Sequence, residues 1–160
     1  MTEIESARSS TWKWWAGLEH RRGDRAELRR CQSVLDVALS PAFHGLLRRL
    51  GSRLNEKDRE SAALVAGILS QIDSDSGAHS FGQAMAKPKG AKATVSDLRF
   101  RRILRLETPD ELLRELGRAV RMLDRAAPID SLANDLMRWG DPVRKRWALD
   151  YYQHADSSNP

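Results

Sequence analysis

The chain has a single cysteine, Cys31, so no intramolecular disulfide can form and a reducing cytoplasm is the expected location. Long apolar runs are missing: none approaches the roughly 18 residues of a membrane span, and no membrane partner is expected. The opening MTEIESARSS lacks the charged-then-apolar pattern of a signal peptide. Alternating β-branched segments and Asn-Gly hairpin turns are also missing, which argues against strands. Catalytic patterns are equally scarce. His20, His44, His79 and His154 are scattered and none sits in an HExxH-type spacing. No P-loop, nucleophile elbow or paired-carboxylate constellation is visible, and Glu19 and His20, being neighbours, do not share a helical face. These absences point to a protein that is not an enzyme and needs neither cofactor nor metal.

What is present is charge in one place. The 160 residues suit one domain, or two small ones sharing an interface, and 41% hydrophobic with 31% charged residues is ordinary for a globular chain. Net charge is +5, with arginine strongly favoured over lysine, which points to a polyanionic partner. Lys87 to Arg125 holds 11 basic and 6 acidic residues, whereas the remainder holds 16 of each, so the whole excess lies in that segment.

Within it, TPDELLRELGRAVRMLDR (Thr108 to Arg125) reads as a helix. Thr108 suits N-cap, Pro109 suits N1, and Glu111 completes a capping box. Leu112, Leu116, Ala119 and Leu123, widened by Leu113 and Val120, form the apolar stripe. Arg114, Arg118, Arg121 and Arg125 fall within roughly 60° of arc on another side. No acid stands between these arginines on that row, so an external anion is expected to face it. The preceding SDLRFRRILRLE, capped by Ser96, carries Arg99, Arg102 and Arg105 at i, i+3, i+6, with Leu98, Ile103, Leu104 and Leu106 as its contacts. Two arginine-rich helices joined by a short turn are expected to pool their charge for nucleic acid.

The rest reads as helices and connectors. TWKWWAGLEHR is expected to begin after Ser10 or Thr11 and to bury Trp12, Trp15 and Leu18, leaving Trp14 for an exposed contact. Gly23 breaks the chain and Asp24 caps DRAELRRCQSVLDVAL, with Ala26, Leu28, Cys31, Val34 and Leu35 inward and Arg25, Arg29 and Arg30 outward. Pro41 starts, and Gly51 ends, a third helix with Phe43, Leu46, Leu47 and Leu50 as core. A longer helix follows from about Glu56, with Val65, Leu69 and Ile72 in line and Lys57 near its exposed start. Residues 73–95, rich in Ser, Gly and Asp with Lys87, Lys89 and Lys92, read as a linker or mobile loop, with room for one short turn at Phe81 to Met85. Asp130 is expected to cap DSLANDLMRW, and Asp141 and Pro142 to start DPVRKRWALDYYQH, whose Val143, Trp147 and Tyr151 want burial. The last residues, ADSSNP, are expected to fray. The expected fold is all-α: two small helical bundles, 1–75 and 96–160, joined by a linker or mobile loop at 76–95, with the basic surface on the second.

Several pieces fall together in order: Trp14-Trp15-x-x-Leu18, Gly23-Asp24-Arg25-Ala26-x-Leu28-Arg29-Arg30, Pro41-Ala42-Phe43, Arg99-x-x-Arg102-x-x-Arg105, Trp139-Gly140 and Arg146-Trp147-x-x-Asp150-Tyr151-Tyr152. Together, over Trp12 to Tyr152, they resemble the CasB-type small subunit of type I-E CRISPR Cascade complexes. The resemblance implies an all-helical, non-catalytic protein, present in two copies placed head to tail. Its implied partners are the crRNA-bearing backbone subunits, the large subunit, the crRNA and both strands of target DNA. It implies nucleic-acid contacts at Arg29, Arg30, Lys57, Arg99, Arg102, Arg105, Arg118, Arg121 and Arg144, beside Arg114 and Arg125 from the helix row. The expected role is to stabilise an R-loop by holding the displaced strand and bracing the guide–target duplex. Two alternatives stand beside it. One is a regulator using DSLANDLMRW–Gly140–DPVRKRWALDYY as a helix-turn-helix, and the other an adaptor whose arginines meet acidic protein surfaces.

Overall fold

A computed structural model describes residues 8–157, and the chain is all-α. Helix α1 (Ser10–Gly17) opens on Ser9, whose hydroxyl accepts from the Trp12 amide, one to two residues before the expected start. A 3₁₀ turn (Leu18–His20) leads to α2 (Arg22–Arg30). Gly23 and Asp24 lie inside α2 rather than before it, so neither breaks or caps the chain. The helix stops where Cys31 turns extended, and Ser33 caps a separate α3 (Val34–Ala38) by accepting from the Asp36 amide. This break is why Leu35, expected inward on a continuous helix, is 65% exposed. Ala26, also expected inward, is exposed on α2. Helix α4 (Pro41–Leu50) follows with Pro41 at its first position and Gly51 at its end, both as expected.

Helix α5 (Glu56–Leu69) is the centre of the molecule. Asn55 and Asp58 form a reciprocal capping box at its exposed start. From Ala62 to Leu69 every residue is buried, and the helix is enclosed by α2, α3, α4, α8 (Pro109–Met122) and α9 (Ile129–Met137). The run Ala62, Ala63, Ala66 and Gly67 keeps its surface small enough for that. Gly67 is the tightest point: a Cβ there would sit 2.6 Å from Leu113 Cδ1 of α8.

The segment 76–95 departs from the linker expectation. It holds β2 and β3 (Pro88–Lys89 and Lys92–Ala93), a two-residue antiparallel pair, preceded by helix α6 (Phe81–Ala86). Phe81, Gly82, Ala84, Met85 and Ala86 are all buried, and α6 lies along α10 (Asp141–Ser157). Gly82 permits this approach, since a Cβ would meet the Trp147 carbonyl oxygen at 2.6 Å and its Cα at 2.9 Å. The hairpin itself stands in solvent, with Lys87, Lys89 and Lys92 exposed on it. A second two-residue pair, β1 (Ser74–Asp75) with β4 (Ala126–Ala127), runs parallel and ties the end of α5 to the end of α8.

The remaining helix, α7 (Asp97–Leu104), is capped by Ser96 as expected. It packs through Phe100, which stacks on Tyr151 at 4.0 Å, while Leu98, expected to make contacts, is 64% exposed. Helix α9 starts on Pro128 without a side-chain cap; Asp130 sits inside its first turn. Val143, Trp147 and Tyr151 of α10 are buried as the spacing required. Residues Trp14 through Tyr151 contribute to one contiguous core cluster, at about 1.5–3 kcal/mol for each large apolar side chain fully removed from water. Of the ADSSNP segment expected to fray, the backbone is helical to Ser157; residues 158–160, like 1–7 of the opening segment, lie outside the described residues.

Candidate nucleic-acid interface

Helix α8 starts where its sequence expects, though without the Glu111 half of a capping box among the described residues. The Thr108 hydroxyl accepts from the Glu111 amide, and Pro109 occupies the first turn. Leu112, Leu113, Leu116, Ala119 and Val120 are buried, which turns Arg114, Arg118 and Arg121 out to solvent. Arg125 leaves this row. The helix ends at Met122, and Asp124 and Arg125 take left-handed backbone conformations with φ of 56° and 60°. The Arg125 side chain then folds back, and one of its terminal nitrogens donates to the Gln71 carbonyl at 3.0 Å and the Gln71 side-chain oxygen at 2.9 Å. Its own carbonyl accepts from the Asp73 amide at 2.7 Å. Burial pushes the Arg125 pKa down, Arg29 adds to the fall, Asp73 opposes it, and Arg121 and Arg25 lower it further.

The other wall comes from α2. Arg29 donates from Nε to the Ser70 carbonyl and from a terminal nitrogen to Asp73, both at 2.6 Å. Arg25 stands 3.9 Å from the same carboxylate. Gln71 completes the ring by donating to the Arg29 carbonyl at 3.4 Å. Arg29 and Arg125 thus act as a clasp that holds α2, the end of α5 and the end of α8 together.

Above the clasp lies a concavity of about 680 Å³. Arg29, Arg30, Arg114, Arg118 and Arg121 line it, with Gln32, Gln71, Cys31 and Leu113 between them. Arg30, Arg114 and Arg121 make no ion pair with any described residue. Arg118 does pair, with Glu115 at 3.1 Å, because an acid three residues earlier can swing across even though it lies off the row. Burial first, then Asp36 and Glu27, hold the Cys31 thiol protonated by raising its pKa, so it lines the cleft as a small apolar group. Cations outnumber acids here, and planar guanidinium forks on two facing helices suit phosphate oxygens.

The other predicted site residues lie elsewhere. Arg99 is half-buried and Arg102 and Arg105 exposed on or just after α7; none lines the cleft, and their neighbour Arg101 pairs with Asp97 at 3.1 Å. Lys57 and Arg144 share a separate concavity of about 390 Å³ that also holds Glu60, Glu107 and Arg138, a wall of mixed sign. Arg144 is built into the fold there: it pairs with Asp141 at 3.1 Å, donates to the Leu106 carbonyl at 2.9 Å and lies 5.2 Å from the Trp139 ring centre. Arg146 donates to Asp135 at 2.6 Å, so of Arg144, Lys145 and Arg146, the basic run a recognition helix would present on α10, two are already engaged.

Two expectations are corrected outright. Trp14 is 1% exposed, and its indole N–H donates to the Ala42 carbonyl, whereas Trp12 and Trp15 are only half-buried. The buried face is set by Trp14 with Leu18, four residues apart, rather than by Trp12 with Trp15. Sequence reading also passed over Gln71 and Asp73 as site residues; the apolar line ending at Ile72 carries no local signal that its neighbours bind arginines. Among the described residues no three His, Cys, Asp or Glu side chains gather to hold a metal ion, and no helix is long and apolar enough to cross a membrane.

Comparison with known proteins agrees with this architecture. The family model described as CRISPR-associated protein Cse2 matches residues 24–152. A CRISPR-associated protein Cse2 of Thermus thermophilus is 31% identical over 103 residues, a stretch that is 61% of this chain and 59% of that relative's length. A chain in the crystal structure of E. coli Cascade bound to a PAM-containing dsDNA target superposes with a TM-score of 0.72 at 18% identity, over 92% of this chain and 95% of the other. CasB from Thermus thermophilus gives 0.63 at 22% identity, over 91% and 99% of the two chains. M. ruber CasB gives 0.67 at 21%, over 93% and 96%.

Proposed function

The chain belongs to the CRISPR-associated Cse2 family, and from that premise we propose that it is the non-catalytic small subunit of a type I-E Cascade complex, holding nucleic-acid backbone in the arginine cleft. The carrying observation is the convergence of Arg30 from α2 with Arg114, Arg118 and Arg121 from α8 on one concavity, although these helices are far apart in sequence. Repulsion among those guanidinium groups is tolerated because the clasp beneath fixes the helices that bear them. A polyanion relieves it, and phosphate oxygens match the forks without any base being read.

In the assembled complex the displaced strand occupies the cleft, while Arg99, Arg102 and Arg105 and the hairpin lysines extend the cationic surface toward the crRNA–target duplex. Exchange of a DNA duplex for a guide–target heteroduplex is nearly balanced, so backbone contacts tip it toward the open R-loop without chemistry. The subunit works as a head-to-tail pair beside the crRNA-bearing backbone subunits and the large subunit, in the cytoplasm. The likeness in fold to a chain of E. coli Cascade supports a place within such a complex.

The test is Arg118→Glu combined with Arg121→Glu in reconstituted complex. Single-strand binding and steady-state R-loop yield should both fall while helicity by circular dichroism stays unchanged. Undiminished R-loop yield in that double variant would remove the cleft from the mechanism.

A further inference from the structure

We infer that a second concavity, between α1, α2 and the end of α5, is a nucleobase-binding site that takes an unstacked base of the strand held in the arginine cleft. The inference rests on the strand-holding reading of that cleft. The concavity, about 450 Å³, is lined by Trp12, Trp15, Glu19, Arg22, Arg25 and Asp73, among others.

Its aromatic wall is pre-set. The Trp12 indole N–H donates to Asp75 at 3.1 Å, and that of Trp15 to the Ile72 carbonyl at 2.9 Å. With both polar edges satisfied inside the fold, what these half-buried rings offer to the concavity is π surface. The Arg8 guanidinium carbon covers one face of Trp12, 3.9 Å from its centre, and the two indoles meet edge-on at 5.6 Å, so an incoming base has the remaining ring surface. Stacking on aromatic side chains is how single strands gain affinity beyond charge. Arg22 is exposed and makes no ion pair with a described residue, so it is available to the phosphate of the same nucleotide. Glu19 and Asp73 add carboxylate acceptors, which suit a base carrying an exocyclic amine, cytosine in particular.

The two concavities are linked through one carboxylate. Asp73 lines this one and pairs with Arg25, which also lines it, and with Arg29, which lines the arginine cleft. A strand leaving the cleft over α2 therefore passes the indoles next.

The experiment compares the full chain's affinity for an oligodeoxycytidine with that for an abasic deoxyribose-phosphate strand of equal length. The cytidine strand should bind about fivefold tighter or more. Trp15→Leu should erase that preference and leave abasic-strand affinity unchanged. Photocrosslinking of a 5-iododeoxycytidine strand to the wild-type chain should map to Trp12 or Trp15, and this decides the matter if the variant does not fold. Equal affinity for both strands, or a crosslink confined to the arginine cleft, would overturn the base site and leave strand holding standing. Failure of both strands to bind would overturn strand holding and this inference with it.

Discussion

Replacing Arg30, Arg114 and Arg121 together by alanine should change the salt dependence of single-strand binding by a predictable amount. The cleft offers four guanidinium groups outside the clasp, Arg30, Arg114, Arg118 and Arg121. If each neutralises one phosphate, the slope of log K against log[salt] on single-stranded DNA should be about −2.8, from about −0.7 per contact. Between about 50 and 200 mM salt, wild-type affinity should then fall about fifty-fold. The triple variant keeps only Arg118, so its slope should be about −0.7 and its loss about threefold over the same range. None of the three replaced residues makes an ion pair with a described residue, so each change should cost within about 0.5 kcal/mol of stability. Fluorescence anisotropy with a labelled oligonucleotide across a salt series, with circular dichroism as the folding control, measures both. An unaltered slope in the triple variant would refute the assignment of these arginines to phosphate.

The remaining predictions separate binding groups from building groups. Arg125→Met should destabilise the fold by about 1.5–3 kcal/mol in urea titrations, because it removes charged hydrogen bonds to Gln71, and should weaken strand binding without changing the salt slope. Gly82→Ala should cost about 2–3 kcal/mol by the same assay, since its Cβ would be driven onto the Trp147 backbone, which cannot swing aside. Asp135 is buried, and desolvation raises its pKa above the usual carboxylate value against the opposing Trp147 hydrogen bond and Arg146. A carboxyl whose folded pKa is raised binds protons more tightly when folded, so its stabilisation is full below about pH 4 and is lost as pH rises through the folded value. Wild type should therefore lose stability relative to Asp135→Asn as pH rises from about 4 toward neutrality, read as the difference in urea midpoints; a constant difference would contradict it.

Features written in neighbouring residues were legible in the sequence. The caps at Ser96 and Thr108, the proline start at Pro41 and the buried line Val143, Trp147, Tyr151 each depend on residues within a few positions of one another. So did three of the four arginines on α8. The fourth, Arg125, was misplaced because helical projection assumes that the helix continues, whereas the chain turns left-handed at Asp124. Three tryptophans within four positions leave the buried side of α1 undetermined until Ala42 is known to offer a carbonyl to Trp14. Helix α6 was legible only as the short turn expected at Phe81 to Met85, because six residues are too few for periodicity to show its burial. Phe100 was hidden among arginines although it stacks on Tyr151 from 51 residues away in sequence, a pairing that no local pattern reports.

The division among the arginines explains why the cleft was only half visible. Arg29 and Arg125 look like surface cations in a helical projection, yet their donors end on the Ser70 and Gln71 carbonyls and on Asp73. Those partners lie at the end of α5, where an apolar helix has run out of its own donors and leaves carbonyls to be satisfied. An arginine that answers them is lost to phosphate but fixes the angle at which its neighbours stand. Arg30 follows Arg29 on α2, and Arg121 precedes Arg125 by four residues, so the clasp sets the position of a free guanidinium on each wall. Charge count alone would assign all of these residues one role. The carbonyls beneath divide them into those that shape the cleft and those that face what enters it.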